Sequence, residues 1–164
     1  MTIRLGNVLF LCTGNSARSI MAEALFDGLG GPKYRGFSAG TQPKEAPHPV
    51  ALSTLVAKGF DVDGLSSKSW EEFSRPAAPK IDLVISVCDN AADESCPIWP
   101  GNPRTIRWQH DDPAAFIGSE REVRAEFERV YEQLKKKIEA LVRLDVADLD
   151  DAGFYEALDK IGEC

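Results

Sequence analysis

Residues Asn7-Val8-Leu9-Phe10-Leu11-Cys12-Thr13-Gly14-Asn15-Ser16-Ala17-Arg18-Ser19 (NVLFLCTGNSARS) decide how the rest of the chain is read. The run Asn7–Leu11 is short, continuous and apolar, the pattern of a strand buried in a parallel sheet. A helical pattern follows over Ser16–Leu29, with Ile20, Met21, Ala24, Leu25 and Leu29 on one stripe, and Gly30-Gly31-Pro32 stops it. Between strand and helix lies a loop that starts at Cys12 and carries Arg18 six positions later. The N–H groups of such a loop and of the helix N-terminus make a cup for a tetrahedral oxyanion. The candidate anion-binding residues are Thr13, Gly14, Asn15, Ser16, Ala17 and Arg18. Gly14 and Asn15 tolerate the left-handed backbone that the cup needs. Arg18 can hold two oxygens in fork geometry. The same positive field favours a Cys12 thiolate, whose pKa is expected below the free value of about 8.5. Ser19 is expected either to donate to that thiolate or to cap the helix. A nucleotide-binding loop is excluded, because neither G-x-G-x-x-G nor a Walker lysine is present.

Outward from this unit the chain alternates strand-like and helix-like segments. Tyr34–Ser38 reads as a second strand and Pro47–Lys58 as a second helix ended by Gly59. Ser69–Phe73 reads as a short helix, Ile81–Val87 as a central strand and Thr105–Trp108 as a fourth strand. Arg121–Leu144 is a long amphipathic helix with Val123, Phe127, Val130, Leu134, Ile138 and Leu141 at steps of three or four. Ala152–Ile161 closes the chain. This order predicts an α/β fold: a single-domain three-layer sandwich over residues 1–164, with a central, mainly parallel four-stranded sheet. Ligands of such sheets bind at the carboxyl ends of strands, so Cys12 and Cys88 are expected at one edge.

Composition narrows the classes. The chain has 164 residues and a net charge of −7, enough for one domain with a real core. With 43% apolar and 27% charged residues it is globular, not disordered. No apolar run reaches the roughly 20 residues of a membrane span, and no export signal is evident. The acidic balance argues against nucleic-acid and membrane partners. Cys12, Cys88, Cys96 and Cys164 are then expected in a reducing, cytoplasmic setting, where thiols are more often catalytic, redox-active or metal-binding than structural.

The stretch CTGNSARS directly after an N-terminal strand resembles the active-site loop of the low-molecular-weight protein tyrosine phosphatase fold. It is most similar to the arsenate reductases built on that fold. Phe37-Ser38-Ala39-Gly40-Thr41, followed by His48-Pro49, is similar to a second segment of the same superfamily. The resemblance implies arsenate as substrate, with phosphate or sulfate as mimics, Cys12 as nucleophile and Asp112, directly before Pro113, as general acid. By itself Asp111-Asp112-Pro113 also reads as a turn that caps a helix, and His110 is a competing acid. The resemblance further implies that Cys88 and then Cys96 relay a disulfide to an external thiol reductant, either thioredoxin or glutathione with glutaredoxin. Their spacing of eight is compatible with this, and two buried thiols or a zinc pair are the other readings.

No bound cofactor or metal is expected, and a monomer is expected. Asn15, Glu23 and Ser38 resemble positions lining a potassium site in some members, where Lys68 now stands in place of a carboxylate, so no potassium requirement is expected. Asn15 is expected to brace the loop instead. His48, Trp99 and Trp108 read as packed residues, and Cys164 has no assignable role. The alternatives to a reductase are a low-molecular-weight protein tyrosine phosphatase, or a non-catalytic oxyanion or redox sensor. The first has no use for Cys88 and Cys96, and no tyrosine lies near Asp112-Pro113 to hold a phenyl ring. The second has no use for Asp112.

Overall fold

The computed structural model describes residues 5–87 and 103–163. Cys88, Cys96, Trp99 and Cys164 lie outside the described residues. Strands β1 (Asn7–Cys12), β2 (Arg35–Gly40), β3 (Leu83–Ser86) and β4 (Arg104–Arg107) form a parallel sheet in the order β2-β1-β3-β4. β1 is central because it is the strand without polar interruption, buried from Val8 to Cys12. The register sets Cys12 beside Gly40, Leu11 beside Ser86 and Ser86 beside Arg107, so all four strands end at one edge.

Alternation along the strands divides the core. Val8, Phe10, Cys12, Leu83 and Ile85 join a cluster with buried residues of helices α1 (Arg18–Leu29), α2 (Pro49–Ala57), α3 (Glu120–Val142) and α4 (Asp151–Gly162). Leu9, Leu11, Ala39 and Val84 face the other way, against Phe73 and Ile81. Among the described residues that second cover is thin, built around the 3-10 turn Trp70–Phe73. Each large apolar side chain buried this way contributes about 1.5–3 kcal/mol. The long helix is held at its start by a capping box between Ser119 and Glu122, and it buries Phe127, Val130, Leu134, Ile138 and Leu141.

The elements fall where the hydrophobic periods place them, and the differences at their ends have local causes. The first helix begins at Arg18, not Ser16, because 13–17 stay in the loop. The second begins at Pro49, not Pro47, because His48 is its N-cap: Nδ1 accepts Val50 N–H at 3.1 Å. Gly59, at φ 89°, ends it. Among the described residues no helix is long and apolar enough to cross a membrane.

Candidate active site

Cys12 is the last residue of β1, and Arg18 the first of α1. The carbonyls of Cys12, Thr13, Gly14 and Ser16 are taken up by the segment after β2, which runs alongside and donates to them in sequence. Thr41 N–H reaches Cys12 O at 3.2 Å, Gln42 N–H reaches Thr13 O at 2.9 Å, Lys44 N–H reaches Gly14 O at 2.9 Å and His48 N–H reaches Ser16 O at 2.8 Å. The Asn15 carbonyl accepts Ser67 Oγ at 2.6 Å. With these acceptors occupied, the carbonyl side of the loop is tied to its neighbours, while Asn15 N–H turns the other way, to Cys12 Sγ at 3.3 Å. Ala17, the N-cap of α1, makes no side-chain cap, whereas His48, Ser119 and Asp150 each cap the helix that follows them. The result is a cup of about 200 Å³ lined by Cys12, Thr13, Gly14, Ser16, Ala17 and Arg18, with Gln42, Lys44 and Asp112 at its mouth.

Asn15 sets the direction of the hydrogen bonds beneath the cup. It is fully buried and has φ 47°. Its Oδ1 accepts Lys68 N–H at 2.8 Å, so Nδ2 must face the two hydroxyls, Ser19 Oγ at 2.8 Å and Ser38 Oγ at 2.9 Å. Each hydroxyl receives a proton from Asn15 and has one left to give. Ser38 gives its proton to Glu23 Oε1 at 2.5 Å. Ser19 gives its proton to Cys12 Sγ at 2.9 Å, and Asn15 N–H points to the same sulfur at 3.3 Å. Two donors converging on Sγ favour the charged form of the thiol. The capping role considered for Ser19 is not what the structure shows.

Arg18 is 7% exposed. Its Nη1 donates to the His110 carbonyl at 3.0 Å, and Nη2 lies 3.5 Å from Asp112 Oδ2. Asp112 Oδ1 accepts Ala114 N–H at 3.0 Å, so the carboxylate both caps the turn Pro113–Ala115 and faces the cup. The helix-capping and site readings of Asp112 are therefore compatible.

His110 does not compete as an acid. It is 4% exposed, away from the cup lining, with Nε2 3.2 Å from Lys137 Nζ and Nδ1 3.4 Å from Gln133 Oε1. Burial, reinforced by Lys137, pulls its pKa down to about 4, so the ring is neutral at pH 7. His48 is also pushed down, by burial first and then by Lys44, with Asp112 acting the other way. Burial raises the Glu23 carboxyl against the opposing pull of Ser38 and Lys68. The Lys68 ammonium reaches Ser66 O at 2.6 Å, Ser38 O at 3.2 Å and Glu23 Oε1 at 3.8 Å. Trp108 is a core residue, 1% exposed, with Nε1 donating to Leu158 O at 3.2 Å.

Gly14 corrects one expectation. Among the described residues only Asn15 of this loop has a positive φ, and Gly14 does not. A Cβ there would sit 3.3 Å from Lys44 Cε, against the lysine stem. Gly40 was not singled out as a site residue, yet its missing side chain is what lets β2 approach the loop: a Cβ would stand 2.5 Å from Thr13 O. Ser67, Gln42 and Lys44 were also missed. They sit in polar loops, where nothing in sequence period or spacing marks them.

A parallel α/β sheet with a cysteine and an arginine framing a loop around a small cup at its carboxyl edge defines a class. The low molecular weight phosphotyrosine protein phosphatase family matches residues 7–152, and the chain belongs to that family. Curated relatives that it matches include arsenate reductases of several bacteria. The arsenate reductase of Halalkalibacterium halodurans is 35% identical over 131 residues, which are 80% of this chain and 91% of the relative. A solved arsenate reductase in a phosphate-binding state is 33% identical with a TM-score of 0.67, over 84% of this chain and 97% of the other. A thioredoxin-dependent arsenate reductase of Corynebacterium glutamicum is 25% identical with a TM-score of 0.57, over 85% of this chain and 64% of the other.

Proposed function

We propose that the chain reduces arsenate to arsenite. The observation that carries the reading is Cys12 Sγ under two donors at the floor of an anion cup that also holds Arg18 and Asp112. The Cys12 thiolate attacks arsenic while Asp112 gives its proton to the departing oxygen, which leaves as water. This forms a Cys12–arsenic bond with arsenic still pentavalent. Arg18 and the loop amides hold the remaining oxygens. A Cys88 thiolate then attacks Cys12 Sγ. The S–S bond forms, the S–As bond breaks, and its electron pair stays on arsenic, which leaves as trivalent arsenite. Cys96 attacks Cys88 in turn, frees the Cys12 thiolate and leaves a Cys88–Cys96 disulfide for two-electron reduction by thioredoxin or by glutathione with glutaredoxin. The chain acts in this scheme as a monomer, and thiol exchange of this kind suits the reducing cytoplasm. The position of β3 supports the first exchange: Val87 N–H donates to Leu11 O at 2.9 Å, so the chain passes residue 87 beside the strand that ends in Cys12.

A phosphatase would use the same cup and the same aspartate. Among the described residues no aromatic side chain lines the cup to hold a phenyl ring, which favours the small inorganic anion. The test is a coupled assay with arsenate and NADPH, supplied with either thioredoxin and its reductase or glutathione and glutaredoxin. NADPH consumption with one system is expected. Consumption with neither, beside brisk aryl-phosphate hydrolysis, sinks the reductase reading. Cys12→Ser and Arg18→Ala are each expected to abolish single turnover. Cys96→Ser is expected to complete one turnover and stop; sustained cycling with thioredoxin would remove Cys96 from the relay.

A further inference from the structure

We propose that Lys44 is a second cationic residue of the oxyanion cup, one that captures the anion by its outward oxygens. The inference rests on the anion-binding reading above. Four observations meet on this residue. Its backbone N–H is bonded to Gly14 O at 2.9 Å, which fixes its register on the loop. Its stem lies along that glycine, with Cε, Cγ and Cδ at 3.3, 3.4 and 3.5 Å from where a Gly14 Cβ would stand. It lines the cup together with Cys12, Arg18 and Asp112. Its charge acts on His48 in the opposite sense to that of Asp112, which lines the same cup.

The charge balance explains why such a residue is useful. In its reactive form the cup holds an anionic thiolate with Asp112 nearby, and the chain as a whole carries −7. Arg18 is the cation at the floor, and it is already bonded to the His110 carbonyl. An approaching dianion therefore meets a repulsive molecule with one inner cation already engaged. An ammonium at the mouth, restrained by its stem on Gly14, reverses the local field where the anion enters.

The test uses Lys44→Gln, Lys44→Glu and Lys44→Arg, with Lys136→Gln, an exposed position on α3, as a control for net charge. Two quantities are read. One is the dissociation constant of inorganic phosphate by calorimetry at low and physiological ionic strength. The other is the ratio of the rates at which iodoacetate and iodoacetamide label Cys12, followed on the Cys12 peptide by mass spectrometry. Lys44→Gln is expected to weaken phosphate binding about threefold and Lys44→Glu about tenfold, with a parallel fall in the iodoacetate preference, both shrinking with salt. Lys44→Arg is expected to stay near the wild type. In turnover, KM for arsenate is expected to rise more than kcat falls. If the Gln and Glu variants match Lys136→Gln while Arg18→Ala loses phosphate, Lys44 has no part in capture and the cup reading stands. If the wild type binds no phosphate and Arg18→Ala leaves the labelling ratio unchanged, the cup reading falls and the role of Lys44 with it.

Discussion

At Asn15 one residue supplies both the turn of the backbone and the order of the protons beneath it. Its φ of 47° suits Asn better than most side chains, and its amide directs one proton to each of two serines. Asn15→Asp keeps the shape and removes both donors. Ser19 and Ser38 would then turn their own protons toward the new carboxylate, and Cys12 would lose the Ser19 donor. The pH profile of Cys12 labelling by iodoacetamide is expected to move up by about one unit or more, with slower single turnover. An unmoved profile would mean that the amide does not set the order. The loop itself was legible in the sequence, since Cys12, Arg18, Asn15 and Ser19 follow from a strand, a tight turn and a helix. The outer shell was not. Ser67, Gln42 and Lys44 come from other loops, and only tertiary packing brings them to the carbonyls of Asn15, Thr13 and Gly14.

At the scale of elements, the site depends on how closely β2 meets the loop. A Cβ at Gly40 would lie 2.5 Å from Thr13 O and 3.0 Å from Asn15 Cβ, and backbone cannot yield as a flexible side chain can. Gly40→Ala is therefore expected to cost about 2–3 kcal/mol in denaturant unfolding and to abolish phosphate binding in calorimetry. Gly64→Ala, with open space around its Cβ position, is the control and is expected to stay within about 0.5 kcal/mol of wild type. Equal effects of the two changes would show that the close approach is not limiting. Strand and helix positions were readable because continuous apolar runs mark Asn7–Cys12 and Leu83–Ser86, and a period of 3.6 is written into Glu120–Val142. The late start of α1 was not, because apolar spacing cannot separate the last loop residue from the first helical one.

Across the whole molecule, a buried neutral histidine makes stability depend on pH. His110 titrates near 4 when folded, against 6.5 as its ordinary value. Between those values the unfolded chain binds the extra proton and the folded chain does not. Stability from this group is complete above about pH 6.5 and declines as pH falls toward 4, by on the order of 3 kcal/mol. Glu23, raised by burial, acts in the opposite sense as pH climbs through its range. Urea unfolding at pH 7.5 and 4.5 is expected to show a smaller loss in His110→Phe than in wild type, a difference that leaves the Glu23 contribution in both. Equal losses would remove His110 as the source. His110 also receives Arg18 through its carbonyl, 92 positions along the chain. The guanidinium is thus tied to the segment after β4, while the loop that carries the thiol is tied to segments after β2. The site draws its parts from stretches far apart in sequence, so it is complete only when the non-local contacts of the sheet are made.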